Sequence, residues 1–277
     1  MSELIGTEIS GYKILQHVAN GSHGEVYKAS HPAIDHPVVL KVMRSDHPEE
    51  EELLMRFEAE ADVIARLGQH PNIIPMYDFW RGNSGAYLVL KWVDGGTLRD
   101  YIDEYGAMPL TEAAYMLTKL ADALNTAHQM GIVHRDVKPS NILFDEQGKV
   151  YLSDFGIAKQ QGKNITAPGT VLGTPAYLAP EQILSETVTQ RTDVYSLGLT
   201  MYEAISGEVP FTGELAGQVM MKQLSQPLPL FLYQDETIRD SINTILQRAT
   251  HKSADQRYAD TLTMAAEFRA AISKVAS

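Results

Sequence analysis

A handful of short stretches concentrates the side chains able to do chemistry. His134-Arg135-Asp136-Val137-Lys138-Pro139-Ser140-Asn141 packs a carboxylate, an ammonium and a carboxamide close together. Asp154-Phe155-Gly156 follows, and then Gly173-Thr174-Pro175-Ala176-Tyr177-Leu178-Ala179-Pro180-Glu181. Asn141 and Asp154 offer hard oxygens, the kind a small divalent cation takes. Lys138 is a compact point charge suited to an anion. Any one of these aspartates, read alone, is as readily a helix cap or a turn former. Upstream, Lys41 follows Val38-Val39-Leu40, and a lysine inside an apolar strand is costly to bury unless paired. Glu60 supplies a partner. Glu58, two residues away, faces about 200° around a helix and cannot substitute. Before Lys41 lies Ala19-Asn20-Gly21-Ser22-His23-Gly24-Glu25-Val26, whose glycines suit close backbone approach and a tight turn.

These residues need elements to position them. Up to about residue 92, short β-branched runs read as strands: Tyr12–Val18, Glu25–His31, Val38–Met43, Ile73–Arg81 and Ala86–Val93. Gly82-Asn83-Ser84-Gly85 reads as a hairpin turn. An acidic amphipathic helix runs from about Glu49 to Leu67, its carboxylates suiting the positive end of the helix dipole. After residue 96 helical spacing takes over. Leu117, Leu120, Leu124 and Ala127 share one face, with Thr111 as N-cap and Gly131 just past the end. A second helix runs from about Asp193 to Ser206, with Val194, Leu197, Met201 and Ile205 on one face and Gly207 ending it. Ile238, Ile242, Ile245 and Ala249 mark a third. Asn141–Phe144 and Val150–Leu152 read as strands.

The order and spacing of these motifs resemble those of a eukaryotic-type (Hanks-type) protein serine/threonine kinase catalytic domain, bacterial members above all. The resemblance runs from Tyr12 to about Phe268. It implies an α+β, two-lobed protein-kinase fold: a small antiparallel β-rich N-lobe with one key helix, and a larger, mainly helical C-lobe. The single domain then spans 1–277, with the N-lobe to about 91, a hinge over 91–96 and the C-lobe from 97. It implies that Asp136 takes the proton of an attacking hydroxyl and Lys138 follows the transferred group. Asn141 and Asp154 hold Mg²⁺ or Mn²⁺. Lys41 meets the α- and β-phosphates of ATP, positioned by Glu60. Gly21, Gly24 and Val26 line the nucleotide, as do Val39, the gatekeeper Leu90 and the backbone of Val93. His134 packs structurally, Asp193 anchors the loop, and Arg257 pairs with Glu181. Lys138-Pro139 and Thr174 point to Ser/Thr rather than Tyr substrates. Thr166 and Thr170 are the candidate autophosphorylation sites, with Arg135 and Lys159 as clamps. Three positions depart from the family pattern. Ala19 replaces the first glycine, Val39 the usual alanine, and Lys91 a common hinge acid. All three lie around the purine, not around the transferred phosphate.

Composition bounds the rest. The chain has 277 residues, 44% hydrophobic and 21% charged, which is ordinary for a folded protein. Its 23 Lys+Arg against 35 Asp+Glu give a net charge of −12, and no basic patch breaks the acidity, so nucleic acid is not an expected partner. Cys is absent, which excludes a disulfide frame and thiolate metal sites. No window resembles a signal peptide or a membrane span, so the expectation is a cytoplasmic chain with no membrane insertion. Protein substrates are the expected partners, and a homodimer through the N-lobe is the assembly bacterial relatives suggest. Two other readings compete: a pseudokinase or nucleotide-binding scaffold, and a small-molecule phosphotransferase. The intact set Lys41, Glu60, Asp136, Asn141 and Asp154 speaks against the first. The segment ending in Ala179-Pro180-Glu181 speaks against the second.

Overall fold

The computed structural model describes residues 4–21, 24–44, 50–82, 85–155 and 175–273. The chain divides into two compact units, Met1–Asp94 and Gly95–Ser277.

The first unit is a six-stranded antiparallel sheet with one helix. Its strands are β1 (Glu8–Ile9), β2 (Tyr12–Gly21), β3 (Gly24–His31), β4 (Ile34–Arg44), β5 (Met76–Gly82) and β6 (Gly85–Lys91). Their order across the sheet is β1-β2-β3-β4-β6-β5. Alternation sets the faces. Tyr27, Ala29, Val38, Leu40 and Val42 are buried in one core with Tyr12 and Ile14. Val26, Val39 and Lys41 point to the other face and are half-buried. The helix α1 (Glu50–Leu67) buries Phe57, Ala61, Ile64 and Leu67, one stripe at helical spacing.

Several strand boundaries differ from the sequence reading. β1 was not expected; it joins β2 through Ser10 and Gly11, both at positive φ (49° and 87°), a type I′ pattern. β5 starts at Met76 rather than Ile73, because Pro75 has no N–H to give a ladder. β6 stops at Lys91, short of Val93. Glu49, Asn83 and Ser84 lie outside the described residues.

The second unit is mainly helical. Its helices are α2 (Leu98–Tyr105), α3 (Leu110–Gln129), α4 (Pro180–Ile183), α5 (Gln190–Ser206), α6 (Ala216–Ser225), α7 (Glu236–Ala249) and α8 (Thr261–Ser273), with a small hairpin of β7 (Ile142–Phe144) and β8 (Val150–Leu152). The helix starts correct the sequence reading twice. Thr111 is not the cap of α3. Pro109 occupies that position, its ring-fixed φ of −56° and missing N–H suiting the residue before a helix. α5 begins at Gln190, capped by the Thr189 side chain, so Asp193 sits inside its first turn. Gly131 and Gly207 end α3 and α5 at positive φ, as expected.

α5 is the axis of this unit. Sequence spacing suggests one apolar face, yet every residue from Thr192 to Ile205 is buried. Its polar side chains are partnered. Ser196 donates to the Tyr177 carbonyl (2.8 Å), and Thr192 to a Glu181 carboxylate oxygen (2.7 Å). Gly198 lets α7 approach, since a Cβ there would lie 2.8 Å from the Thr250 methyl. α2 and α8 went unread in the sequence. The first is capped by a Thr97–Asp100 box, and the second rests on α3 with the Thr261 hydroxyl donating to the Ala121 carbonyl (2.8 Å).

A buried ion pair staples the start of α4 to the segment before α8. Arg257 Nη1 and Nη2 each donate to one Glu181 oxygen at 2.8 Å, and the guanidinium also reaches the carbonyls of His251, Arg191 and Lys252. Burial alone would push the Glu181 carboxyl up, but Arg257 and Thr192 outweigh it and hold it below the ordinary carboxylate range. Breaking one half of such a pair costs about 3–5 kcal/mol, because the remaining charge stays buried. Arg257→Ala is therefore expected to lose about that much in urea unfolding at neutral pH. In the intact protein this contribution is fully present above the ordinary carboxylate value and fades as pH falls through the depressed one. An Arg257→Ala protein as stable as the parent at pH 7 contradicts the staple.

Candidate active site

The candidate residues fall in both units, and each group has its own geometry. In the first unit, Lys41 lies on β4 and Glu60 on α1, nineteen positions later, with Nζ to Oε1 at 2.8 Å. The side chains are 14% and 7% exposed, so water screens the pair little. Glu58 faces elsewhere and binds Arg81, as helix geometry requires. Strand register gathers the other residues on the Lys41 face. Val26 is opposite Lys41, which is opposite Leu88; Lys28 is opposite Val39, which is opposite Leu90. Leu90 and Val93 are buried. Ala19 is exposed on β2 opposite Val26, and Gly21 is paired with Gly24. Ser22 and His23 lie outside the described residues.

Gly24 has a second reason to be glycine. At φ 155° its backbone passes so close to β4 that a Cβ would lie 2.2 Å from the Val42 carbonyl oxygen. The glycine is a condition of strand pairing as well as of open space at the loop. The hinge departure Lys91 donates its backbone N–H to the Pro75 carbonyl (3.0 Å). Trp92 carries the Lys28 ammonium over its ring at 4.2 Å.

In the second unit the candidate residues follow α3 and run into the β7–β8 hairpin. Asp193 reaches into this loop from α5. Its Oδ1 accepts the Arg135 N–H and its Oδ2 the His134 N–H, both at 2.8 Å, while His128 Nε2 lies 2.6 Å from Oδ2. This grip holds Arg135 at φ 67°, a conformation a non-glycine residue adopts only when held. His134 is fully buried with its ring 4.5 Å from that of Phe155. The Asp136 N–H points to its Nδ1 (3.2 Å), and its Nε2 faces the Ser153 carbonyl (2.9 Å). An N–H can only donate and a carbonyl only accept, so the ring is neutral with its proton on Nε2. Burial lowers its pKa and keeps it so.

The Asp136 side chain is thereby placed beside its neighbours. Lys138 Nζ donates to Oδ2 at 2.8 Å. Asn141 spends its amide nitrogen on the Asp136 carbonyl (2.8 Å) and on Oδ2 (3.2 Å). Ser153 connects the hairpin to the next group, its hydroxyl within 3.2 Å of both the Asn141 carbonyl and Asp154 Oδ2. Asp154 sits at φ 56°, a second constrained position. Structure thus brings Asp136, Lys138 and Asn141 into one hydrogen-bonded set and reaches Asp154 through Ser153. Thr166, Thr170, Thr174 and Lys159 lie outside the described residues.

Sequence reasoning missed four participants. His128 stands in the last turn of α3, and nothing in its spacing ties it to Asp193, sixty-five positions away. Arg99, Tyr177 and Glu203 form a triad, with both the half-buried Arg99 and the Tyr177 hydroxyl on the buried Glu203 carboxylate. A glutamate on the buried face of α5 was the available signal, since such a charge needs partners.

Comparisons with known proteins agree with this geometry. The family profile described as protein kinase domain matches residues 12–269. The serine/threonine-protein kinase PrkC of Bacillus subtilis is 36% identical over 97% of this chain, which spans 42% of that protein. PknL of Mycobacterium tuberculosis, also a serine/threonine-protein kinase, is 35% identical over 96% of this chain and 67% of its own length. Among solved structures, the kinase domain of M. tuberculosis PknI superposes with a TM-score of 0.74 at 27% identity, covering 97% of this chain and 98% of that one. The two-lobed kinase fold follows.

The Asp193 grip has a direct readout. Hydrogen bonds to a charged acceptor contribute about 1.5–3 kcal/mol each. Asp193→Asn is expected to speed amide exchange at His134 and Arg135 by about ten- to hundredfold, with core amides of α7 unaffected. Unchanged protection at both amides means that the loop is held some other way.

Proposed function

The chain belongs to the protein kinase domain family, and on that premise we propose that it transfers the γ-phosphoryl group of ATP to serine and threonine hydroxyls of proteins. The single observation that carries this reading is the Asp136–Lys138–Asn141 set, hydrogen-bonded as a unit and anchored by Asp193.

Each residue has a task. Asp136 orients the substrate hydroxyl and takes its proton as the oxygen bonds phosphorus and the bond to the leaving ADP oxygen breaks. Lys138 balances the negative charge of the transferred group and holds Asp136 in place. Asn141, its nitrogen spent on Asp136, turns the carboxamide oxygen to a cation, and Asp154 adds a carboxylate. This donor set fits Mg²⁺, which keeps waters and phosphate oxygens and takes one or two protein ligands. Among the described residues no cluster of three His, Asp or Glu forms an all-protein cage. The cation supplies charge neutralisation at the phosphates. Lys41, aimed by Glu60, holds the α- and β-phosphates. The half-buried Val26 and Val39, with the buried Leu90 beside them, take the purine, Val39 narrowing the slot. His134 is neutral and committed at both nitrogens, so it does no acid–base work.

Regulation belongs to the same reading. Arg135 Nε is buried with no hydrogen-bond partner among the described residues, and burial lowers the guanidinium pKa. A phosphate on Thr166 or Thr170 supplies the missing acceptor oxygens. The domain then switches on by autophosphorylation. Among the described residues no helix is long and apolar enough to cross a membrane.

Two experiments decide. Asp136→Asn is expected to lower transfer of labelled phosphate to a generic protein substrate by about 10²–10⁴ while nucleotide binding persists. Acid hydrolysis of the wild-type product should yield phosphoserine and phosphothreonine. Binding without transfer in the wild-type chain means a nucleotide-binding scaffold instead. Thr166→Ala/Thr170→Ala should leave an enzyme several-fold less active than the phosphorylated parent. Equal rates, with no phosphate found between residues 159 and 173, remove the switch.

A further inference from the structure

Lys252 lies between α7 and α8, takes no part in the Asp136 set, and is half-buried. Its Nζ stands 4.8 Å from the centroid of the Phe211 ring and 5.3 Å from that of Tyr195, both rings buried. An ammonium has three protons to donate. Among the described residues Nζ has one hydrogen-bond acceptor, the Tyr195 hydroxyl at 3.1 Å, which itself donates to Gln223 Oε1. The Arg257 guanidinium sits over the same Tyr195 ring at 4.7 Å and donates to the Lys252 carbonyl (3.1 Å). Two cations thus share one ring. The neighbouring carboxylates are committed elsewhere. Glu181 accepts from Arg257 and Thr192, and the exposed Asp255 lies 3.6 Å from Arg191. Ring faces attract an ammonium, but these also displace the water that stabilises it. Desolvation, followed by the Arg257 charge, lowers the Lys252 pKa to about 8. Burial raises that of the Tyr195 hydroxyl, which stays neutral beside it.

We propose that Lys252 is an acylation site, whose amine takes the acyl group of a small acyl phosphate. A lysine becomes a nucleophile when it is desolvated among apolar side chains or set next to another cation. Both conditions meet here, in Phe211 and Tyr195 on one hand and Arg257 on the other. The neutral amine attacks the acyl carbon. A C–N bond forms as the C–O bond to phosphate breaks, inorganic phosphate leaves, and the excess proton passes to water. The product amide carries no charge, so acylation ends the repulsion by Arg257 and removes a poorly hydrated cation. Nζ is recessed between two rings, which suits a small donor rather than the broad face of a modifying enzyme. Lys252 has no task in phosphoryl transfer, and the inference stands or falls apart from that reading.

The test exposes the full chain, without nucleotide, to acetyl phosphate at a series of pH values. The chain is then unfolded and its remaining amines are capped with trideuterated acetic anhydride. Peptide mass spectrometry reads the occupancy of each lysine from the ratio of light to heavy acetyl. Near neutral pH, Lys252 is expected to acetylate about tenfold faster than the exposed Lys13. It should lead Lys119 by a similar margin, although that ammonium also lies over a ring, Tyr115 at 5.4 Å. The Lys252 rate should level off above about pH 8, whereas lysines of the chain unfolded in urea keep gaining up to about pH 10. In urea the preference for Lys252 should vanish, because the rings and Arg257 no longer surround the amine. Labelling of Lys252 no faster than Lys13 in the folded chain overturns the proposal. So does a folded-state Lys252 rate that climbs with pH as in urea, or a preference that survives unfolding.

Discussion

One buried carboxylate organises the second unit around the His134–Asn141 loop. Asp193 is fully buried, and a charge in that position survives only if donors surround it. The donors it finds are the His134 and Arg135 amides and the His128 ring. Satisfying the charge therefore dictates the path of the loop. That path puts Arg135 at positive φ and turns the Asp136 N–H onto His134 Nδ1. The His134 ring, held neutral, spans to Ser153 and packs on Phe155. The His134–Asn141 loop and the start of the Asp154 segment are thus tied through one histidine whose two ring nitrogens are both engaged.

The same helix fixes the segment ahead of Glu181. α5 has no solvent face, so each polar side chain on it must be answered from a neighbouring element. Ser196 answers Tyr177, Thr192 answers Glu181, and Glu203 gathers Arg99 and Tyr177. Gln182 adds a bond from its amide to the Arg135 carbonyl (2.9 Å). The segment ending at Glu181 and the His134–Asn141 loop therefore share one support. In the first unit an ion pair does comparable work, joining strand β4 to helix α1 through Lys41 and Glu60.

Much of this was legible in the sequence. Burial cost called for a partner at Lys41, the kinase resemblance assigned it to Glu60, and helix angle set Glu58 aside. The Asp136, Asn141 and Asp154 spacing led to the kinase family before any coordinate. The glycine ends of α3 and α5 were visible because a positive φ leaves few other residues. Other features could not be read. α5 looked one-sided because Ser196, Thr200 and Glu203 count as polar in a hydropathy pattern, although each is buried with a partner. Thr111 looked like a cap because hydroxyl preference was weighed and the geometry of Pro109 was not. His128 and the Arg99–Glu203 triad join positions far apart in the chain, and a period of 3.6 or 2 carries no information at that range. The short α2, and the α8 stripe of Met264, Ala265, Phe268 and Ala271, gave too little contrast to stand out.

The central claim is that the Asp193-held loop presents Asn141, together with Asp154, to the cation that accompanies the nucleotide, with Asp136 beside it. Diffraction from crystals grown with Mn²⁺ and a non-hydrolysable ATP analogue, recorded at the manganese absorption edge, tests it most directly. The account predicts an anomalous peak in direct coordination with the Asn141 carboxamide oxygen and the Asp154 carboxylate, and none when both residues are replaced by alanine. A nucleotide-bound structure whose manganese touches neither residue would contradict it.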